Sequence, residues 1–311
     1  MKRKVVQHGK NTLTISLPTD WVKRNKVKIG DELEVTDKLT KLEVGREKEE
    51  NWKEITVEIK ELNPHIIKRI VGSLYKKGYD AITLRFSDPA LKQKAVDAVM
   101  DFLEMCIGLE ILSHDKKNIH TRAVASLNGE EFSNVLRRYF LLSLQLVELF
   151  YESLQKKDPL ILHKVLDTEK KLTTMYLYCT RVLNKTQHLS KEHLILYYLL
   201  IERLEEICDE YRDMALYLIE NKNMSLQPAF LKMLEEANTY FRLVYEMYYS
   251  FDEKKVCQIT EKRDYFSNLQ KTVFNNKPSF EIPLYHHLCT ALVKMYEASS
   301  PVVGLHIGKN N

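Results

Sequence analysis

The sequence predicts a multi-domain α+β chain. It passes from short strands, through a small α/β sandwich of βαβαββ order, into a long all-helical stretch. Three observations predict this. The 311 residues exceed one ordinary core and, at about 150 residues per domain, suggest two or three. Nine Gly and eight Pro are few for that length, which favours long helices. The spacing of apolar residues also changes, from alternation early in the chain to helical periodicity from Asn128 onward. The expected domains are 1–50, 51–126 and 127–305.

In the first segment Val5-Val6 and Leu13 to Leu17 have strand character, with turn residues His8-Gly9-Lys10-Asn11 between them. Pro18 ends the second strand, and Thr19 or Asp20 can cap a short helix over 21–25. Ile29-Gly30-Asp31-Glu32 is a turn, and Leu33-Glu34-Val35 begins a further strand. Four short strands and one helical turn bury little surface, so this module is expected to need a second copy. Its charge is one-sided. Lys2, Arg3, Lys4, Lys10, Lys23, Arg24, Lys26 and Lys28 face only Asp20, in a chain whose net charge is +4. That excess suits an anionic partner, although a solvated basic surface would look the same.

The order Gly9-Lys10-Asn11-Thr12-Leu13-Thr14-Ile15-Ser16-Leu17-Pro18, then Trp21, then Lys28-Ile29-Gly30-Asp31-Glu32-Leu33, resembles the AbrB/MazE/SpoVT family. The resemblance implies a swapped-hairpin β-barrel formed by a homodimer, with a basic face on double-stranded DNA. The DNA-binding candidates are Lys2, Arg3, Lys4, His8, Lys10 and Asn11, with cations on phosphates and Asn or Arg on base edges. A module that only dimerises is the alternative, in which Asn11 and His8 serve the turn alone.

Residues 51–126 read as strand 55–59, a helix capped by Asn63-Pro64, strand 81–86, a helix from Asp88-Pro89, and a hairpin around Asp115 to Asn118. This order predicts a sheet with its helices on one face. It holds no phosphate loop or catalytic constellation, so a spacer or dimerisation role is favoured over ligand sensing.

Six helices are expected beyond it, over roughly 130–156, 158–184, 190–222, 226–251, 252–276 and 280–305. Leu146 to Leu154 is echoed by Leu243 to Phe251, which suggests two three-helix units. With Leu204-Glu205-Glu206-Ile207-Cys208-Asp209, this doubling resembles PhoU, the phosphate-uptake regulator family. The succession of an AbrB-like module, an α/β linker and a PhoU-like domain looks like an archaeal PhoU-type regulator. The resemblance implies a divalent metal ion in the first helical repeat, with Glu205, Asp209, Asp213, Asp167 and Glu169 as candidate ligands. From spacing alone, Glu205, Asp209 and Asp213 repeat every fourth residue on one helix face. Arg203, Arg212 or Lys170 could neutralise them instead, and oxygen ligands would suit Mg²⁺ or Mn²⁺ as well as a transition metal. The second repeat departs from the pattern: Val293 and Glu297 stand where Glu205 and Asp209 do. Thr173 replaces a customary aspartate, while Glu261 and Asp264 remain acidic.

Five scattered cysteines (Cys106, Cys179, Cys208, Cys257, Cys289) form no CxxC pair and are expected to be reduced and mostly buried. His163 lies one turn before Asp167, whereas the adjacent His286 and His287 face different sides of a helix. Tyr240, Tyr245, Tyr248 and Tyr249 read as packing. With no signal peptide, membrane-length apolar run, nucleophile–base pair or Glu-x-x-His pairs for a ferritin-like oxidase, the expectation is a cytoplasmic, non-enzymatic regulator. The resemblances imply a DNA-binding regulator of phosphate uptake or phosphate-responsive transcription. Its helical domain would sense a signal or dock a phosphate-transporter ATPase or a signalling protein. The alternative is a dimeric adaptor that acts on such a partner without binding DNA.

Overall fold

The computed structural model describes residues 3–10, 12–37, 42–45, 52–60, 63–87, 89–124, 132–185, 189–221, 226–273 and 279–307. The chain divides into two compact units, Met1–Trp52 and Lys53–Asn311.

Among its described residues the first unit holds two antiparallel hairpins and one short helix. Strands β1 (Val5–His8) and β2 (Thr12–Ile15) pair with Val5 opposite Ile15. Gly9 takes a positive φ of 76° in the connecting turn, as the expected turn chemistry requires. Helix α1 (Thr19–Arg24) starts two residues before the expected stretch. Strands β3 (Glu34–Asp37) and β4 (Leu42–Gly45) form the second hairpin. Among the described residues of this unit none is buried, and Leu13 is 71% exposed.

The second unit opens with the expected βαβαββ order. Strand β5 (Glu54–Ile59) leads to helix α2 (Pro64–Lys76), and β6 (Ala81–Phe86) leads to α3 (Pro89–Leu103). Strands β7 (Leu109–His114) and β8 (Asn118–Ala123) close the layer as a hairpin. The sheet order is β5-β6-β8-β7, with β5 and β6 parallel and the other pairs antiparallel. Asn63 caps α2 by accepting a hydrogen bond from the His65 N–H, with Pro64 behind it. At its other end Gly78 takes a φ of 82° and the Tyr79 N–H returns to the Leu74 carbonyl, a glycine-stopped helix end. Asp115 ties the hairpin turn by accepting from the N–H groups of Lys117 and Asn118. The buried face of the sheet presents Ile59, Ile82, Leu84, Phe86 and Ile119. Helices α2 and α3 approach closely, and a Cβ on Gly72 would come within 2.8 Å of Phe102.

Six helices follow: α4 (Phe132–Lys156), α5 (Pro159–Lys185), α6 (Lys191–Glu220), α7 (Pro228–Tyr249), α8 (Glu253–Val273) and α9 (Ile282–His306). Each lies within a few residues of its expected span. Their apolar stripes share a core with the sheet. Phe140 gathers Tyr245, Tyr248 and Tyr249 around it and Tyr240 packs on Phe266, so the tyrosine-rich stretch serves packing, from buried Tyr240 to exposed Tyr249. Four of the five cysteines are buried free thiols, and Cys257 is exposed. Among the described residues no helix is long and apolar enough to cross a membrane.

One charged joint fastens the α/β layer to the helices. Arg181 of α5 is 2% exposed, and its guanidinium donates to the Tyr75 and Tyr79 carbonyls at 3.0 and 2.6 Å and to the Asp80 carboxylate at 2.7 Å. Lys185 donates to the same carboxylate oxygen, and the Lys53 N–H to the other at 3.0 Å. The guanidinium also lies over the Tyr75 ring, 4.8 Å from its centroid. A buried ion pair is costly to break from one side, because the surviving charge keeps its desolvation penalty. We expect Asp80→Ala to lower stability by about 3–5 kcal/mol in urea denaturation, and the paired Asp80→Leu/Arg181→Met replacement to cost less than either single loss. A double variant as damaged as the sum of the singles would show that the pair is not the joint.

Candidate functional site

The acid cluster arises where α5, α6 and α4 meet. On α6 Glu205 and Asp209 stand one turn apart, with buried Leu204, Ile207, Cys208 and Tyr211 fixing the helix against the core. Across from them α5 contributes Glu169, a buried carboxylate, and Thr173 one turn further on. One carboxylate oxygen each from Glu169, Glu205 and Asp209 lies within 4.8 Å of the other two.

The hydrogen bonds define how the charges are shared. Buried Tyr139 of α4 donates its phenolic proton to Glu205 Oε2 at 2.8 Å. Thr173 Oγ1 lies 2.8 Å from Glu205 Oε1 and 3.1 Å from Glu169 Oε1. A threonine hydroxyl has one proton to give. The second of these contacts therefore becomes a full hydrogen bond only if a carboxyl supplies a proton. Burial pushes Glu205 up to about 7 against the Tyr139 and Thr173 hydrogen bonds that pull it down, and neighbouring Asp209 and Glu169 add to the rise. Burial likewise raises Asp209 to about 6, opposed by Arg212 and reinforced by Glu169 and Asp213. Burial holds the Cys208 thiol well above its usual range, so it stays protonated beside the cluster.

Of the three expected neutralisers only Arg212 serves. It pairs with Asp209, with Asp213 at 2.9 Å and with Glu169 at 3.2 Å. Arg203 turns to Glu206 and Glu297, and Lys170 is exposed.

Three of the five candidate metal ligands thus come together and two do not. Asp213 lies two turns beyond Glu205, where eight residues of α-helix have drifted about 80° round the axis. Its carboxylate meets Arg212 from outside the trio. Asp167 is exposed, since two residues along a helix turn about 200° away from Glu169. His163 is exposed as well, and His287 Nδ1 lies 2.7 Å from the Glu210 carboxylate rather than meeting His286 on a shared ion. Glu261 and Asp264 are exposed on α8. In the first unit Arg3, Lys4, His8 and Lys10 are exposed, while Lys2 and Asn11 lie outside the described residues. Tyr139 was not among the candidates, because it comes from a different helix with no spacing relation to Glu205. Thr173 carried a signal only as a departure from the acidic pattern.

Chemically, the trio is an all-oxygen, half-buried site with more negative charge than Arg212 offsets. Oxygen atoms on opposite sides of a Mg²⁺ ion stand about 4.2 Å apart, close to the span found here. Glu169, Glu205 and Asp209 could hold a metal ion, and their all-oxygen set suits a hard divalent cation. Entry would compete with Arg212 for Asp209 and with the proton on Glu205. No protein-family model, curated protein or solved structure matches the chain.

The raised carboxyls set a pH dependence. In the unfolded chain these groups titrate near 4.5 and 3.8, so the native state binds protons more tightly between those values and about 7. The stabilisation is complete below the unfolded values and is lost as pH rises through about 6 to 7. Metal-free protein should lose thermal stability relative to Glu205→Gln between pH 5 and 7.5, the pH being varied in circular-dichroism melts. Mn²⁺ should restore the wild type at pH 7.5 and do little at pH 5. Asp209→Ala should abolish that response, and equal metal content in wild type and Asp209→Ala would leave a salt-bridged cluster without an ion.

Proposed function

We propose that the chain is a dimeric DNA-binding regulator whose helical region responds to a divalent cation at Glu169, Glu205 and Asp209. The observation that carries the proposal is the state of the first unit. It has two hairpins with apolar strand residues and no buried side chain among its described residues. Isolated two-stranded hairpins are marginal in water. Leu13, Ile15, Leu17, Leu33 and Val35 gain a core when a second copy supplies the opposing apolar face, as in the swapped-hairpin barrel of the AbrB resemblance. Arg3, Lys4, His8 and Lys10 are exposed on this unit, and with Lys2 and Asn11 they form the proposed DNA face.

The phosphate-uptake setting rests on the PhoU resemblance and on reading α4 to α9 as two three-helix repeats. In that setting a phosphate-transporter ATPase or a signalling protein is the partner, and the cation site sits in the first repeat. Phosphate contacts release counterions, so binding must weaken steeply with salt.

Sedimentation of the full chain should give a dimer, and Leu13→Ser/Ile15→Ser should shift it to monomer while melting of the helices is retained. For DNA taken from the protein's own genomic neighbourhood, about six phosphate contacts give a log–log salt slope of roughly −5. Lys10→Ala or Lys4→Ala should flatten the slope by about one unit each across all sequences. A stable dimer that binds no duplex at low salt would replace the DNA-binding reading with the adaptor. A monomer would overturn both.

A further inference from the structure

Helices α8 and α9 pack against each other as α5 and α6 do, and several of their core positions correspond. Val165 and Leu172 on α5 are buried like Ile259 and Phe266 on α8. Leu204 and Ile207 on α6 are buried like Leu292 and Met295 on α9. In this correspondence Glu169 falls on Arg263, Thr173 on Ser267, Glu205 on Val293 and Asp209 on Glu297. The four counterparts of the acid cluster line a single cavity of about 250 Å³, walled also by Phe266, Leu292 and Tyr296. At the second helix pair these positions line a cavity and carry a different chemistry.

We propose that this cavity binds a small organic monocarboxylate with an apolar body. The exchange removes the conditions for a cation. One carboxylate has become a cation, Arg263, and another a valine. The third, Glu297, is occupied by Arg203 at 3.0 Å and Lys294 at 3.5 Å. Arg263 is the cation in the lining, and its guanidinium lies over the Tyr296 ring, 5.2 Å from the centroid. Its ion pair with Asp264 joins two groups that are each more than half exposed, which makes it weak and easily exchanged for a ligand carboxylate. The guanidinium edge suits a carboxylate, which it can hold through two parallel hydrogen bonds. Phe266, Leu292, Val293 and Tyr296 offer an apolar wall where water finds few hydrogen-bond partners. The volume equals that of about eight liquid water molecules, enough for a ring or a branched chain beside the carboxylate. A few polar groups set in an apolar concavity is the usual composition of a small-molecule site.

The inference goes beyond the regulator reading and does not depend on it, because ligand binding is measured directly without DNA. The full chain is titrated calorimetrically with phenylacetate and with 3-methylbutanoate, and phenylacetate is compared with the neutral phenylacetamide. Saturable one-to-one binding of an acid is expected. The amide and the Arg263→Gln variant should each weaken it by at least about tenfold. Val293→Trp should block the cavity, and Ser267→Phe at the exposed rim repeats the block with a change that leaves the core alone. Melting curves identify any variant that has lost its fold. Failure of both acids to bind at millimolar concentration overturns the proposal. So does binding that Arg263→Gln and the two blocking variants leave unchanged, or equal affinity for the amide.

Discussion

The Arg181–Asp80 pair is the constraint on which the arrangement of the second unit depends. Helix α5 reaches the α/β layer through a guanidinium that satisfies two backbone carbonyls at the end of α2 and one buried carboxylate at the start of β6. Asn184, which donates to the Lys76 carbonyl, and Lys76, which donates to the Tyr176 hydroxyl, add to this joint between two different layers. A hydrophobic seam tolerates sliding, whereas a planar fork with fixed donor directions does not. Burial pulls the Arg181 pKa down while Asp80 opposes it, and the guanidinium remains charged because its intrinsic value is so high. The same helix carries Thr173 about two turns and Glu169 about three turns earlier. Movement of α5 at the acid cluster is therefore rigidly linked to the sheet.

The two helix pairs carry opposite chemistry at corresponding positions. At the first, three carboxylates share one arginine, one threonine proton and one tyrosine, so the site is short of positive charge unless a proton or a cation enters. At the second, valine and arginine replace two of the acids and the remaining glutamate is neutralised from α6 and α9. The difference in charge between the two follows from a few side chains at corresponding positions. The tyrosine that supports Glu205 comes from α4, so the first site is completed by a helix outside the pair.

Much of the fold was legible in the pattern of residues. Alternation over Ile55 to Ile59, the Asn63-Pro64 start and the Asp115 turn each act locally, and each lies where it was expected. The six helices were legible because their apolar stripes recur with the right period over many turns. Pairing was not. Nothing local says that β6 sits between β5 and β8, since that order depends on which faces remain to be covered. Within the site, the one-turn spacing of Glu205 and Asp209 was a sound guide, but extension to Asp213 failed because a helix does not repeat in four residues. Asp167 failed for the same geometric reason. Arg181 did leave a trace, as a lone cation inside the apolar run Tyr176 to Leu183, but its partner lies on another layer.

The sequence separation of that joint has a consequence during synthesis. Asp80 precedes Arg181 by 101 positions. At about 5–20 residues per second, the ribosome delivers the arginine roughly 5–20 s after the aspartate. Through that interval the newly made sheet carries a carboxylate destined for the interior with no guanidinium to receive it, so that end of the layer must stay hydrated and incompletely packed. Closure waits for the second long helix to emerge, and the α/β layer is finished by a part of the chain translated well after its own last strand.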